Sequence, residues 1–420
     1  MNLIKNVHNF NFDAIPIDSY WNSSSDNELK IHNIHAYPAK FPAFVTTNAI
    51  NYAKGKGVEI KTIGDIFCGC GTTAFEAKRN NINYWGCDIN PVATMIARTK
   101  SRKFQINRLK KYYNEIALTC RKRNIRDVYD NACERLIYWY SRGQYNKLFH
   151  LKTKILSNTP ENSDYRDFFL CAFSNILKGS SRWLTKSIKP QIDPKKRLVD
   201  VYKLFENQCF KMFKAIEKLP PFEHSENDIY TENFLDNSFS FPKTDMIITS
   251  PPYVISYEYA DLHQLSSLWL GFADDYRELR EGTIGSLHHV YNFDDEKTKL
   301  NITGNNIINQ LLTKEKGKAG SVAKYFLDMQ KVIKKTRSIL NKNGIAIFII
   351  GNTEYKSVKI ENARHLVESM FNVGYKEVSV TKRKISRKIL TPYRDEKGKF
   401  TTDGNGRKVY NEEFIICGKK

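Results

Sequence analysis

The chain has 420 residues, enough for about two or three domains or one elaborated domain with a sizeable core, and carries 66 Lys and Arg against 45 Asp and Glu, a formal +21 at pH 7. That balance favours an anionic partner such as nucleic acid over a neutral metabolite alone, and the length excludes a small disulfide-stapled scaffold. No apolar run approaches a membrane span, Met1 to Asp18 is too polar for a signal peptide, and the eight cysteines lack paired zinc-ribbon spacing, so they read as reduced thiols of a cytoplasmic protein.

Residues 1–30 are polar and Asn/Ser-rich, with an isolated Tyr20-Trp21 pair, and read as an arm lying on the surface. An aromatic-proline stretch follows, Tyr37-Pro38-Ala39-Lys40-Phe41-Pro42, and then a helix over Val45 to Lys54. Lys61 to Phe67 reads as a strand, Cys68-Gly69-Cys70-Gly71-Thr72-Thr73 as a turn and Ala74 to Asn80 as a helix. Gly69, Gly71 and Ala74 form G-x-G-x-x-A, a turn that lets backbone approach a ligand while Thr72, Thr73 and the first helical amides face an anionic group. A second strand, Asn83 to Cys87, ends in Asp88, placed to accept hydrogen bonds from ribose hydroxyls. Asn90 then caps a helix that has Pro91 at its first position. This βαβα order argues for a Rossmann-like, mostly parallel sheet with a nucleoside at its carboxyl edge.

Between about 101 and 225 the rhythm stops. Helical patterns at Leu109 to Arg121 and Val199 to Leu219 suit a helical insertion, and residues 101–220 hold 26 Lys and Arg against 11 Asp and Glu, a net +15. Ser181, Arg182, Trp183, Lys186, Lys195, Lys196 and Arg197 mix cations, a hydroxyl and an aromatic, which suits phosphate contacts and base stacking; a solvated helical lid is the plainer alternative.

The sheet resumes with Asp228 to Tyr230, with Asn233 at its end, and with Asp245 to Ile248, which delivers Thr249-Ser250-Pro251-Pro252-Tyr253. Two prolines forbid the strand from continuing and free nearby carbonyls to accept from a ligand's amino group; Ser250 adds a hydroxyl and Tyr253 a flat face. An amino group held by acceptors and a ring held by stacking is what a flipped nucleobase needs, although taken alone the corner reads first as a proline turn with a core tyrosine, and it is the upstream glycine turn that overturns that reading. Tyr257 to Phe272 reads as a helix, 273–318 as a mobile polar loop near DNA, and His288-His289 as neighbours whose side chains diverge too far to share a metal. Val322 to Asn341 and Ile360 to Phe371 read as helices flanking a buried strand, Gly344 to Gly351. The end reads as two antiparallel strands, Lys376 to Ser386 and Glu412 to Cys417, joined by a basic hairpin containing Lys382, Arg383, Lys384, Arg387, Lys388 and Arg394.

In combination these motifs resemble the S-adenosylmethionine-dependent DNA methyltransferases that modify an exocyclic amino group, the cytosine-N4 and adenine-N6 family, over about 32–100 and 228–420. The family's D-x-F-x-G-x-G stands here as Asp65-Ile66-Phe67-Cys68-Gly69-Cys70-Gly71. The resemblance implies that Asp65 and the glycine turn hold the methionine moiety, that Phe67 lines the pocket and that Asp88 binds the ribose. It further implies that Tyr37-Pro38-Ala39-Lys40-Phe41-Pro42, similar to the family's proline-lysine motif, closes over the methionine end. Where members often carry an Asp against the adenine ring, this chain has Asn233. Ser250-Pro251-Pro252-Tyr253 matches the catalytic motif, and Ser at its first position is similar to cytosine-N4 enzymes, whereas Asp or Asn is typical of adenine-N6 enzymes.

Cytosine N4 is a poor nucleophile because its lone pair is delocalised into the ring. Ser250 Oγ and the Pro251 carbonyl are the expected acceptors for its N–H groups, and Tyr253 the stacking platform. Direct methyl transfer by positioning and electrostatics follows, with no covalent nucleophile. No proline precedes a cysteine, which argues against cytosine-C5 chemistry. The expected organisation is a cofactor part at 1–100, a target-recognition insertion at 101–227 and a catalytic part at 228–420, acting on double-stranded DNA; the resemblance implies a restriction-modification role, with a cognate restriction endonuclease as a functional companion rather than a bound one. An adenine-N6 DNA methyltransferase is the first alternative; an RNA amino-methyltransferase, a nicotinamide oxidoreductase that leaves the Pro-Pro-Tyr corner unused, and a nucleic-acid-binding module without catalysis are the further competing classes.

Overall fold

The computed structural model describes residues 1–22, 28–38, 40–121, 124–221, 225–254, 258–286, 292–385 and 412–420, with backbone alone at 393–394, 400–401 and 407–408. Its centre is an eight-stranded sheet built from β1 (Asn2–Ile4), β2 (Thr62–Asp65), β3 (Asn83–Cys87), β4 (Asn227–Tyr230), β5 (Thr244–Thr249), β6 (Leu340–Ile350), and two late strands that follow the small hairpin β7 (Thr353–Tyr355) and β8 (Val358–Ile360). Those late strands are β9 (Glu377–Lys384) and, beyond the short pieces β10 (Tyr393–Arg394), β11 (Phe400–Thr401) and β12 (Arg407–Lys408), β13 (Glu412–Lys419). The spatial order is β1-β9-β13-β6-β5-β2-β3-β4. Strands β6, β5, β2, β3 and β4 are parallel; β13 lies antiparallel on β6, β9 on β13, and β1 on β9. This is the mixed Rossmann-like sheet the sequence calls for, and its strand order reverses between β2 and β5. Ligands of open α/β sheets bind at such a switch point, outside the carboxyl ends of the strands.

Local chemistry sets the registers. Asp245 Oδ2 accepts from the amides of Lys61 and Thr62, aligning the starts of β5 and β2, and Thr249 Oγ1 donates to Asp65 Oδ1 (2.7 Å) where the two strands end. Helices α1 (Ala43–Gly55), α2 (Thr72–Arg79) and α3 (Pro91–Ser101) pack against β2 to β5, and α3 opens as its sequence demands, with Asn90 Oδ1 accepting from Val92 N (3.0 Å) and Pro91 at the first position.

The insertion comprises α4 (Ile106–Arg121), α5 (Glu134–Trp139), α6 (Arg142–Asn158), α7 (Asp164–Ser180) and α8 (Val201–Glu217), and it shares one apolar cluster with α3 and with α9 (Tyr259–Leu270), the helix after the proline corner. Two expectations fail. The N-terminal residues do not merely lie on the surface: β1 completes the sheet edge by pairing with β9, and Ile4, Phe12 and Trp21 are buried. An unpaired β9 would leave a row of open backbone groups, which β1 satisfies.

Nor is 273–318 all polar loop. It holds a 3-10 turn at Tyr276–Arg280, α10 (Phe293–Glu296) and α11 (Ile302–Leu312), while α12 (Lys316–Ile339) starts six residues earlier than its apolar pattern indicates. Ile307, Ile308 and Leu311 form a helical stripe buried in the core, and Asn301 caps α11 by accepting from Gly304 N (2.8 Å). Charged neighbours conceal that stripe in the sequence. Helix α13 (Asn362–Asn372) backs the last strands. His288-His289, Arg387 and Lys388 lie outside the described residues, as does the side chain of Arg394.

Candidate active site

The carboxyl ends of β2, β3, β4 and β5 open onto one cavity of about 300 Å³. Asp65 closes its floor. The side chain is 2% exposed and its Oδ1 accepts from Thr249 Oγ1 (2.7 Å) and Phe67 N (3.3 Å). Burial outweighs these hydrogen bonds and pushes the carboxyl up to about 7. Asp88, at the end of β3, accepts from Gly69 N through Oδ2 (2.9 Å) and from Asn90 N through Oδ1 (2.9 Å); burial raises it to about 6 against both bonds. Each oxygen still has a lone pair for a ribose hydroxyl.

Two carboxyls held above their ordinary range ionise when a cation is brought against them, so the floor fits a ligand bearing a sulfonium or an ammonium. Affinity for such a ligand is expected to rise with pH from about 5 to about 7 and then level off, because below 7 binding must expel the Asp65 proton. Calorimetry across that range checks this, and Asp65→Asn should flatten the upper part of the rise. Without ligand, Asp65 has the opposite effect on stability: its folded value lies above its unfolded value, so the native state loses stability as pH climbs from about 4 to about 7.

The glycine turn wraps this floor. Gly69 and Gly71 have φ of +47° and +74°, and Gly71 precedes α2 while its α-carbon packs against the backbone of α3. Thr72, the first residue of α2, lines the cavity. The Tyr37 ring lies over Gly69 and stacks on buried His263 (centroids 5.1 Å, 27°), joining the aromatic-proline loop to α9. Lys40 also lines the cavity, but its Nζ donates to His32 O (2.5 Å) and Asn33 Oδ1 (2.9 Å), so it fastens its own loop. Burial lowers the pKa of its ammonium.

The opposite wall escapes the sequence reading. Asn233 lines the cavity as expected, but its Nδ2 donates to Gly282 O (3.2 Å) and its Oδ1 accepts from Leu235 N (2.9 Å). Leu279, the run Gly282–Ser286, and Lys318, Ser321 and Tyr325 of α12 also line the cavity, with Gly285 N donating to Asp328 Oδ2 (3.0 Å). The only sequence signal was the pair Gly282 and Gly285, both of which adopt positive φ.

Ser250, Pro252 and Tyr253 face the same cavity as Asp65, Phe67, Gly69, Thr72 and Asp88, whereas Pro251 is buried behind them. Tyr253 is half-buried and its hydroxyl donates to Glu413 Oε1 (2.6 Å). The two halves of the sequence motif, separated by some 180 residues of chain, therefore meet in one pocket.

The basic residues divide. Lys186, Lys195, Arg197 and Lys384 are exposed. Ser181 and Trp183 are not: both are buried, and Trp183 stacks on Trp139 (5.0 Å, 20°), so its ring belongs to the insertion's core. Arg182 is half-buried and gives its guanidinium to the carbonyls of Ile137 (3.0 Å) and Tyr140 (3.3 Å). Lys196 Nζ donates to Lys178 O (2.8 Å) and Trp183 O (2.7 Å), and burial pushes it down to about 8. Arg383 is 1% exposed and paired with Glu413 (2.8 Å). These five were expected on a DNA-binding face; a cation-rich stretch does not reveal which side chains turn inward to tie off carbonyls.

Trp183→Ala is accordingly expected to cost about 3–5 kcal/mol of stability. Lys195→Ala or Arg197→Ala should leave the melting temperature alone and make the salt dependence of DNA binding shallower by about one ion each. Thermal melts and titrations at several salt concentrations separate the two behaviours.

A family model described as DNA methylase matches residues 7–99. The chain is 23% identical over 368 residues to the Type II methyltransferase M.MvaI of Kocuria varians, covering 78% of each protein. It is also 23% identical over 321 residues to the Type II methyltransferase M.BsoBI of Geobacillus stearothermophilus, covering 68% of this chain and 60% of that one. Among solved structures, an rRNA methyltransferase, aviRa of Streptomyces viridochromogenes, overlaps 95% of this chain and 92% of its own at 10% identity and a TM-score of 0.27, too little to bear on fold or function.

Proposed function

We propose that this member of the N4/N6 DNA methylase family transfers a methyl group from S-adenosylmethionine to the N4 amino group of cytosine in duplex DNA, with the target base turned out of the helix. The observation that carries the reading is the shared cavity: the glycine turn, Asp65 and Asp88 line it together with Ser250, Pro252 and Tyr253. The family and the Type II relatives support DNA amino-methylation and S-adenosylmethionine as methyl donor. The choice of cytosine rests on Ser250, whose hydroxyl stands where an Asp or Asn would suit adenine. Adenine N6 is the second reading, because the same corner would accept from either amino group.

In this reading S-adenosylmethionine supplies an electrophilic methyl on a sulfonium. Asp65 holds the cationic end of the ligand, Asp88 the ribose, and Phe67 and Asn233 border the adenosine. Tyr253 stacks on the extruded base, contributing about 1–3 kcal/mol towards the cost of unstacking it. Ser250 Oγ, which faces the cavity, would accept an amino hydrogen and so localise the nitrogen lone pair, while Pro251, buried behind the lining, would hold the shape of the corner. Catalysis by position and charge is sufficient for a direct displacement.

Target reading is assigned mainly to 101–227, whose exposed Lys186, Lys195 and Arg197 are suited to phosphates, with Lys384 beside them in role. A restriction-modification role beside an endonuclease and a cytoplasmic location belong to the same reading. Among the described residues no helix is long and apolar enough to cross a membrane. Incubation of duplex DNA and of RNA with methyl-labelled cofactor, followed by nucleoside mass spectrometry, tests the proposal. N4-methylcytosine in the duplex is expected. N6-methyladenine would keep the mechanism and overturn the inference from Ser250, and label in RNA alone would overturn the substrate.

A further inference from the structure

The corner residue Tyr253 is held from outside the motif. Its hydroxyl donates to Glu413 Oε1 (2.6 Å), and the second oxygen of Glu413 accepts from Arg383 Nε (2.8 Å). Arg383 and Glu413 are direct cross-strand partners on β9 and β13, and β13 in turn pairs with β6. The chain of contacts thus runs across four adjacent strands to the loop that follows β5. The tyrosine ring also lies on Gly351, at the end of β6, where an added β-carbon would stand 3.2 Å from Tyr253 Cε2; Asn362 Nδ2 fixes that glycine's carbonyl (2.9 Å). Ring edge and ring tip are therefore both fixed.

As a stabilising device this pair is poorly built. Arg383 is almost fully buried, and its Nη1 has no partner among the described residues. A buried ion pair of that kind gains little over apolar replacements, because desolvation offsets the attraction. Positioning gives it a purpose: an aromatic platform must present its face at one angle, and a hydroxyl tethered to an anchored carboxylate removes the ring's freedom to swing about its side-chain bonds.

We propose that Arg383 and Glu413 are positioning residues for methyl transfer, acting through the Tyr253 hydroxyl to hold its ring at the angle that stacks the extruded base. The inference rests on Tyr253 being the base platform. It also gives Arg383 a role inside the protein in place of a phosphate contact.

The test is a double-mutant cycle on the full chain, read as kcat for methyl transfer to mixed-sequence duplex DNA and as cofactor affinity by calorimetry. Tyr253→Phe removes one hydroxyl and is expected to lower kcat about tenfold with cofactor affinity and melting temperature unchanged. Glu413→Ala should lower kcat to a similar extent, Glu413→Gln should recover part of that loss, and the Tyr253→Phe/Glu413→Ala double variant should fall no further than either single one. Wild-type kcat in Tyr253→Phe overturns the proposal, and so does a double variant whose losses multiply to about a hundredfold. Should Glu413→Ala fail to fold, Tyr253→Phe alone decides by the same criterion. If Tyr253→Ala retains full activity, the platform reading falls; if Tyr253→Ala is inactive while Tyr253→Phe matches wild type, only the tether does.

Discussion

Replacing Tyr253 by alanine is expected to lower methyl transfer about a hundredfold while leaving cofactor affinity within about threefold. Base–aromatic stacking is worth about 1–3 kcal/mol per base, and each 1.4 kcal/mol is about tenfold, so lost stacking alone accounts for about five- to 150-fold. Loss of orientation at the reacting nitrogen places the effect in the upper part of that range. The cofactor contacts assigned to Asp65, Asp88 and the glycine turn are built on β2, β3 and α2, and their hydrogen bonds to Thr249, Gly69 and Asn90 do not pass through Tyr253. Single-turnover transfer of labelled methyl gives the rate and calorimetry the affinity. A variant that loses both equally would place Tyr253 on the cofactor rather than on the base.

The second large effect is expected at Gly71. Its φ of +74° costs any L side chain about 1–2 kcal/mol, and an added β-carbon would stand 2.7 Å from both Cα and Cβ of Ala97 on α3. Backbone cannot swing aside as a long side chain would, so overpacking adds about 1–3 kcal/mol. Gly71→Ala should therefore lower stability by about 2–5 kcal/mol. It should also separate α2 from α3, moving Gly69 N off Asp88 and weakening the cofactor site. Gly55→Ala, at the end of α1 with open space around it, is the control and should be neutral. Thermal melts with and without S-adenosylmethionine read both consequences.

Short-range chemistry made much of the fold legible. Asn83 to Cys87 begins and ends as a strand where its Tyr84-Trp85 pair indicates, and Asn90-Pro91 opens α3 through a cap and a proline that act within three residues. The glycine turn and the proline corner were legible for the same reason, since positive φ and missing amide hydrogens are local properties.

What the sequence hid depends on partners far along the chain. Arg383 alternates with its neighbours on a strand, and only its pairing with Glu413 of β13 decides that it turns inward. Trp183 was a stacking candidate until Trp139, 44 residues earlier, covered its face. The wall at Gly282–Ser286 has no motif of its own and acquires one only by packing on Asn233, Asp328 and Tyr325. Side-chain direction, unlike turn chemistry, is a property of the assembled sheet.

The proposed function has one cavity bring a methyl donor and a DNA base together at Asp65, Asp88 and Ser250 to Tyr253. It is tested most directly by incubating wild-type protein, Tyr253→Ala and Asp88→Ala with labelled S-adenosylmethionine and duplex DNA and measuring methylated nucleosides by mass spectrometry. N4-methylcytosine is expected from the wild type, with at least tenfold less from each variant and weakened cofactor binding in Asp88→Ala alone. Undiminished methylation by both variants would contradict it, and so would a wild-type protein that binds the cofactor tightly yet leaves duplex DNA unmodified.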